Sequence, residues 1–123
     1  MAGSAMTFTE ITHGTVKKIK AAWTTDSGTG AVSGTTTNSY DGRIMGATTV
    51  PGLAGAQPDD NYNITVSDND SVDIALGALL LRDDTNTEFV SEASMAGVAH
   101  STLTVAVTAA GNSKTGVLYL YIR

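Results

Sequence analysis

Short runs of alternating apolar and small polar residues, separated by clusters of turn formers, constrain this chain more than any other feature. In STLTVAVTA, Leu103, Val105 and Val107 alternate with Thr102, Thr104, Ala106 and Thr108. A period of two puts successive side chains on opposite faces of a strand, whereas a helix needs apolar residues three and four apart. In NYNITVSDNDSVDIAL the alternation runs over Tyr62, Ile64 and Val66, pauses at polar residues, and resumes over Val72, Ile74 and Leu76. That pattern predicts a hairpin. VLYLYI carries Val117, Tyr119 and Tyr121 on one face and Leu118, Leu120 and Ile122 on the other. Being apolar on both faces marks it as a central strand or as one whose second face meets a partner.

The rest of the chain reads the same way. TFTEI, Thr7 to Ile11, suits a short edge strand with Phe8 on one face and Thr7, Thr9 and Ile11 on the other. From Thr15, TVKKIKAAWTT puts Lys17, Ile19, Ala21 and Trp23 on a mainly buried face and Val16, Lys18, Lys20 and Ala22 opposite. Asp26 to Gly34 is dense in turn formers. In the following TTTNSYDGRIMGATTV the pair Asp41-Gly42 is a short-range turn signal expected to separate two strands. Val50 to Asp60 holds both prolines and is expected to be a crossover loop. A short buried piece is expected at Leu79 to Leu81, a strand ending at Phe89-Val90, a helical turn within SEASMAGVA, and a turn from Ala109 to Lys114. The expected core contains Ile19, Trp23, Ile64, Val66, Val72, Ile74, Leu103, Val105, Val107 and Leu120. Eight or nine short strands with no sustained helix point to an all-β fold, an antiparallel β-sandwich or jelly-roll-like barrel.

A length of 123 residues suits one core. Residues 1–6 read as an N-terminal arm and 7–123 as a single β domain. Without cysteine, disulfides, thiolate metal sites and cysteine nucleophiles are excluded. No run is long enough to cross a bilayer, so a soluble chain without membrane partners is expected. A net charge of −5 argues against a nucleic-acid surface, which needs clustered cations. Only 15% of residues are charged, so Thr, Ser, Asn and Gly must supply much of the surface, as in a protein partly covered by neighbours.

Chemistry is sparse. His13 and His100 lie at opposite ends of the chain and belong to no metal-binding motif. No nucleophile elbow is present, and a catalytic triad would have to recruit one of those two histidines. Asp68, Asp70 and Asp73 suggest a calcium loop at first sight. With Asp68 at the first position, however, Asp73 falls where glycine is needed and Leu79 where a bidentate glutamate is needed. Asx turns in a solvated hairpin explain these aspartates better. Asp83, Asp84 and Glu88 formally suffice for glycoside hydrolysis, but a chain with 6% aromatics offers little sugar platform. The glycine-rich Asp26–Gly34 lacks the lysine ending and helix of a phosphate loop. No catalytic residue, cofactor or metal ligand is therefore assigned. The one basic cluster, Lys17, Lys18 and Lys20, suits a strand edge that resists unwanted pairing or faces an acidic partner. Together with Tyr119 and Tyr121 it forms the candidate interface.

HGTVKKI at His13–Ile19, Trp23, GTTTNSYDGRI at Gly34–Ile44, YNITVSDNDSVDI at Tyr62–Ile74 and the ending Tyr121-Ile122-Arg123 resemble small virion proteins of tailed bacteriophages. The family's hairpin more often has glycine where this chain has Asp70 or Ser71. The resemblance implies a non-enzymatic head decoration, or cement, protein. Such a protein is assembled in the host cytoplasm, binds the outside of the major capsid protein and self-associates, as a trimer before a dimer. A head-tail connector, a tail-fibre component, a carbohydrate-binding module and a small hydrolase are the competing expectations.

Overall fold

The computed structural model describes residues 5–53, 55–91 and 96–123. Among these residues nine strands follow in order: β1 (Ala5–His13), β2 (Val16–Thr24), β3 (Val32–Thr35), β4 (Tyr40–Pro51), β5 (Asn63–Ser67), β6 (Glu88–Ser91), β7 (Gly97–Ser101), β8 (Thr104–Thr108) and β9 (Thr115–Ile122). They form two antiparallel sheets packed as a sandwich. The larger sheet runs β1-β2-β9-β4-β6, with β7 pairing the first part of β4, and the smaller runs β3-β8-β5.

Alternation decides which side chains fill the space between the sheets. Ile19, Ala21 and Trp23 of β2 and Leu118, Leu120 and Ile122 of β9 face Ile64 and Val66 of β5 and Leu103, Val105 and Val107 beside and along β8, all buried. Trp23 is 2% exposed, and its ring lies 5.6 Å from that of the buried Tyr62. Gly116 makes room for it. A Cβ added there would sit 2.2 Å from Trp23 Cζ2, far inside contact distance.

Several expectations are corrected. Asp41-Gly42 does not turn the chain, and β4 runs straight through both residues as one twelve-residue strand. Gly42 takes φ 133°, and a Cβ there would meet the Arg123 carbonyl oxygen at 2.3 Å, so glycine is needed for close approach and not for a hairpin. A bulge at Met45, where Ile44 pairs Ile122 but Gly46 pairs Tyr121, switches the buried positions of β4 from even to odd numbers. Val72 is not core but 49% exposed. No strand forms over Val72–Leu76, because the Asp73 carboxylate accepts hydrogen bonds from the amides of Val66, Ala75 and Gly77 and winds the chain into turns. Ile74 still reaches the core. Of the expected buried piece, only Leu79 is buried, while Leu80 and Leu81 are exposed. Ala5 and Met6, assigned to an arm, begin β1. The helical turn expected in SEASMAGVA falls partly outside the described residues, and its last part, Gly97 to Ala99, lies in β7.

Tyr62 gives this core a pH signature. Burial pushes its phenol up to about 12, against the smaller opposing influence of the Thr49 hydroxyl. The neutral phenol is favoured in the fold, so its contribution to stability is fully present below pH 10 and is lost as pH rises through about 12. Absorbance titration should show a tyrosine that ionises near pH 12 in the folded protein, with stability to urea falling over the same interval. A full complement of phenolates at pH 10.5 in the folded state would refute this.

Candidate interaction face

The two outer faces of the sandwich differ in chemistry. Over the smaller sheet lie Ser33, Thr35, Asn63, Thr65, Ser67, Thr104, Ala106 and Thr108, small residues with a hydroxyl-to-hydroxyl contact of 2.9 Å between Thr35 and Thr104. Over the larger sheet, register assembles aromatic and basic side chains from separate strands. One row crosses Thr9, Lys20, Tyr119, Thr48 and Phe89, and the next crosses Ile11, Lys18, Tyr121, Gly46 and Ser91.

The contacts within this face are specific. Lys18 Nζ stands 4.6 Å from the centroid of the Tyr119 ring and 6.0 Å from that of Tyr121, within cation–π range of both. Phe89 packs against Tyr121 at 6.3 Å with the rings tilted by 46°. Its ring lies over Gly46, where a Cβ would come within 2.6 Å of Phe89 Cζ. The Tyr121 hydroxyl lies 3.4 Å from Thr48 Oγ1. Phe89 remains 64% exposed and Ile11 56%. Toward one end of the sheet the face continues as a groove of about 340 Å³ lined by small side chains including Ala5, Thr7, Ala22, Val50 and Val117.

Of the five candidate interface residues, Lys18, Lys20, Tyr119 and Tyr121 therefore meet on one face. Lys17 does not join them: it pairs Ile122 and shares the inward side of β2 with Ile19, near the sheet's end. The expectation that these lysines guard a strand edge is overturned, because β2 is paired by β1 on one side and β9 on the other. Phe89 and Ile11 were not singled out from the sequence. The alternation of TFTEI sorts Ile11 by face, but only the strand order, which no periodicity carries, sets Phe89 against Tyr121 and Ile11 beside Lys18 on the same face.

The carboxylates weighed for chemistry act as turn acceptors. Asp68 Oδ1 accepts from the amides of Asp70 and Val72, and Ser71 takes φ 62°, the left-handed conformation that glycine adopts most easily. Asp26 Oδ2 accepts from the amides of Gly28 and Thr29. Asp83 accepts from the backbone of Thr85 and from Asn86, and the Thr85 amide contributes most to holding its carboxyl below the usual range. Asp60, Asp83 and Asp84 bring carboxylate oxygens within 4.8 Å of one another, a juxtaposition of the Val50–Asp60 loop with a distant turn that spacing does not reveal. The cluster is exposed or half-buried, and Asp83 already serves its own turn. Arg82 and Glu88 pair beside it at 3.6 Å. The two histidine positions lie on β1 and on β7, with β2, β9 and β4 between them.

No family model, no curated protein and no solved structure matches this chain.

Proposed function

We propose that the protein is a non-enzymatic structural component of a larger protein assembly and docks through the outer face of its larger sheet. We infer further that the assembly is a phage head, with the major capsid protein as partner and the head surface as location. The contrast between the two outer faces carries the docking reading. One fold places only Thr, Ser, Asn and Ala over one sheet, and over the other a tilted aromatic pair, a lysine seated on tyrosine and an exposed isoleucine, and aromatic residues are enriched where protein interfaces bury their core. Lys18 and Lys20 are basic residues on a chain of net charge −5, which favours an acidic partner. The phage assignment rests on the sequence resemblance. A carbohydrate module is less well supported, since Lys18 occupies the Tyr119 ring and the Phe89 and Tyr121 rings are not coplanar.

The test is binding to purified heads that lack the protein. Phe89→Ala with Tyr121→Ala should weaken binding by about 10- to 100-fold, and Lys18→Glu with Lys20→Glu should slow association and flatten its salt dependence. Thr65→Ala, on the opposite face, should leave binding unchanged. Equal affinity for all of these proteins would defeat the reading. Self-association with Tyr119 or Tyr121 in the contact belongs to the same proposal and is tested by light scattering of Tyr119→Asp. Leu120→Asp would report on folding instead, because Leu120 is buried.

A further inference from the structure

Beyond the outer face, the larger sheet ends in β1, a nine-residue edge strand that pairs with β2 alone among the described strands. Natural sheets protect their edges with short strands, bulges, prolines, charged residues or covering segments. Among the described strands, most edges have such protection. β3 and β6 have four residues each. β5 is covered by the following segment, through hydrogen bonds from the Ile74 amide to Val66, the Ile64 amide to Leu79 and the Arg82 amide to Tyr62. Gly34 of β3 packs against the Met6 and Phe8 side chains of β1 and Asn38 donates to Glu10, but among the described residues no backbone hydrogen bond from another segment reaches the outward side of β1. Its register against β2 runs without a shift from Ala5 to His13, its sequence AMTFTEITH contains no lysine, arginine or proline, and Glu10 is its one carboxylate.

The hairpin fixes which groups point outward. β1 and β2 are joined by Gly14 and Thr15, with Gly14 at φ 64° and His13 paired to Val16. A two-residue turn makes its closing pair a hydrogen-bonded one, and such pairs then alternate along an antiparallel ladder. Ile11, Thr9 and Thr7 accordingly bond to β2, whereas the N–H and C=O groups of Met6, Phe8 and Glu10 face the open edge.

We propose that this edge pairs antiparallel with β1 of a second copy, about a two-fold axis at Phe8. In that register Met6 lies opposite the second copy's Glu10, Thr7 opposite Thr9 and Phe8 opposite Phe8, so each outward N–H meets an outward C=O. The two Phe8 rings form a cross-strand aromatic pair. The two Glu10 carboxylates lie four residues apart along the strand, roughly 13 Å, beyond the screening length at physiological salt. A register centred on Thr9 would instead make the two Glu10 residues diagonal neighbours. Pairing would join two larger sheets edge to edge.

Sedimentation equilibrium from micromolar to submillimolar protein should show a concentration-dependent rise from 12.6 kDa toward twice that mass. Glu10→Pro removes an amide that β2 does not use, and should weaken the association at least about tenfold while the thermal melt and Trp23 fluorescence confirm the fold. Amide exchange read by NMR gives an independent measure. With rising concentration, protection should grow at Met6, Phe8 and Glu10 and stay constant at Thr7, Thr9 and Ile11. A monomer at every concentration, or exchange at Phe8 and Glu10 indifferent to concentration, would overturn the proposal. So would a dimer that survives Glu10→Pro and is lost with Tyr121→Ala. Binding of the Glu10→Pro monomer to heads reports on the docking reading separately.

Discussion

Trp23→Ala should lower the stability of the folded protein by about 3 to 5 kcal/mol, enough to unfold much of it near physiological temperature if the domain has ordinary marginal stability. Trp23 is the largest of the fully buried side chains, with its ring against Tyr62 on one side and the Gly116 backbone on another. Removing the indole leaves a cavity between two strands that are both paired into the sheet, where the backbone has little freedom to collapse. Ile64→Ala and Val105→Ala should cost somewhat less, about 2 to 4 kcal/mol, as smaller side chains from the facing sheet. Thr104→Ala, on the outer face, should stay near about 0.5 kcal/mol. Urea denaturation of the four variants is the measurement, and equal small losses at all of them would show that the assigned faces are wrong.

Gly116→Ala should be comparably damaging for the opposite reason. Its new Cβ would come within 2.2 Å of Trp23 Cζ2 and 2.7 Å of Cε2, on a rigid ring with no flexible end to move aside. Overpacking of this kind costs about 1 to 3 kcal/mol and more where the neighbours cannot shift. The mechanism predicts strong coupling. In a Trp23→Leu background the same Gly116→Ala change should cost less than about 1 kcal/mol, because the atoms it strikes are gone. A double-mutant cycle that closes additively would show that Gly116 matters for some reason other than the indole.

The faces of β2, β5, β8 and β9 were legible in the sequence because each is a simple period-two strand with one or both faces apolar. Trp23, Ile64, Val105 and Leu120 sit where alternation put them. The readings failed where a side chain or a second strand overrides local pattern. The Asp73 carboxylate collects three amides and ends the alternation that Val72 and Leu76 suggest. Asp41-Gly42 has the composition of a turn, yet the glycine is there because the Arg123 backbone lies against it. The bulge at Met45 reverses the faces of β4 halfway along, and nothing in GRIMGAT announces it. The candidate face was half visible. Alternation separated Lys18 and Lys20 from Lys17 and put Tyr119 with Tyr121, but the strand order that sets β2 beside β9 and β6 two strands further on is a property of the whole chain.

That order also shapes how the molecule is made. The ninth strand lies in the interior of the larger sheet, between the second and the fourth. Until it arrives, the hairpin of β1 and β2 has no partner on its inner side and β4 lacks its longest ladder, so neither can bury its apolar face against a completed layer. Closing the sheet requires pairing between segments nearly a hundred residues apart, a slow step because chain entropy is lost before the contacts that reward it form. Refolding should then be governed by the insertion of one strand, with the aromatic side of β9 open to water and to other chains for as long as that insertion takes.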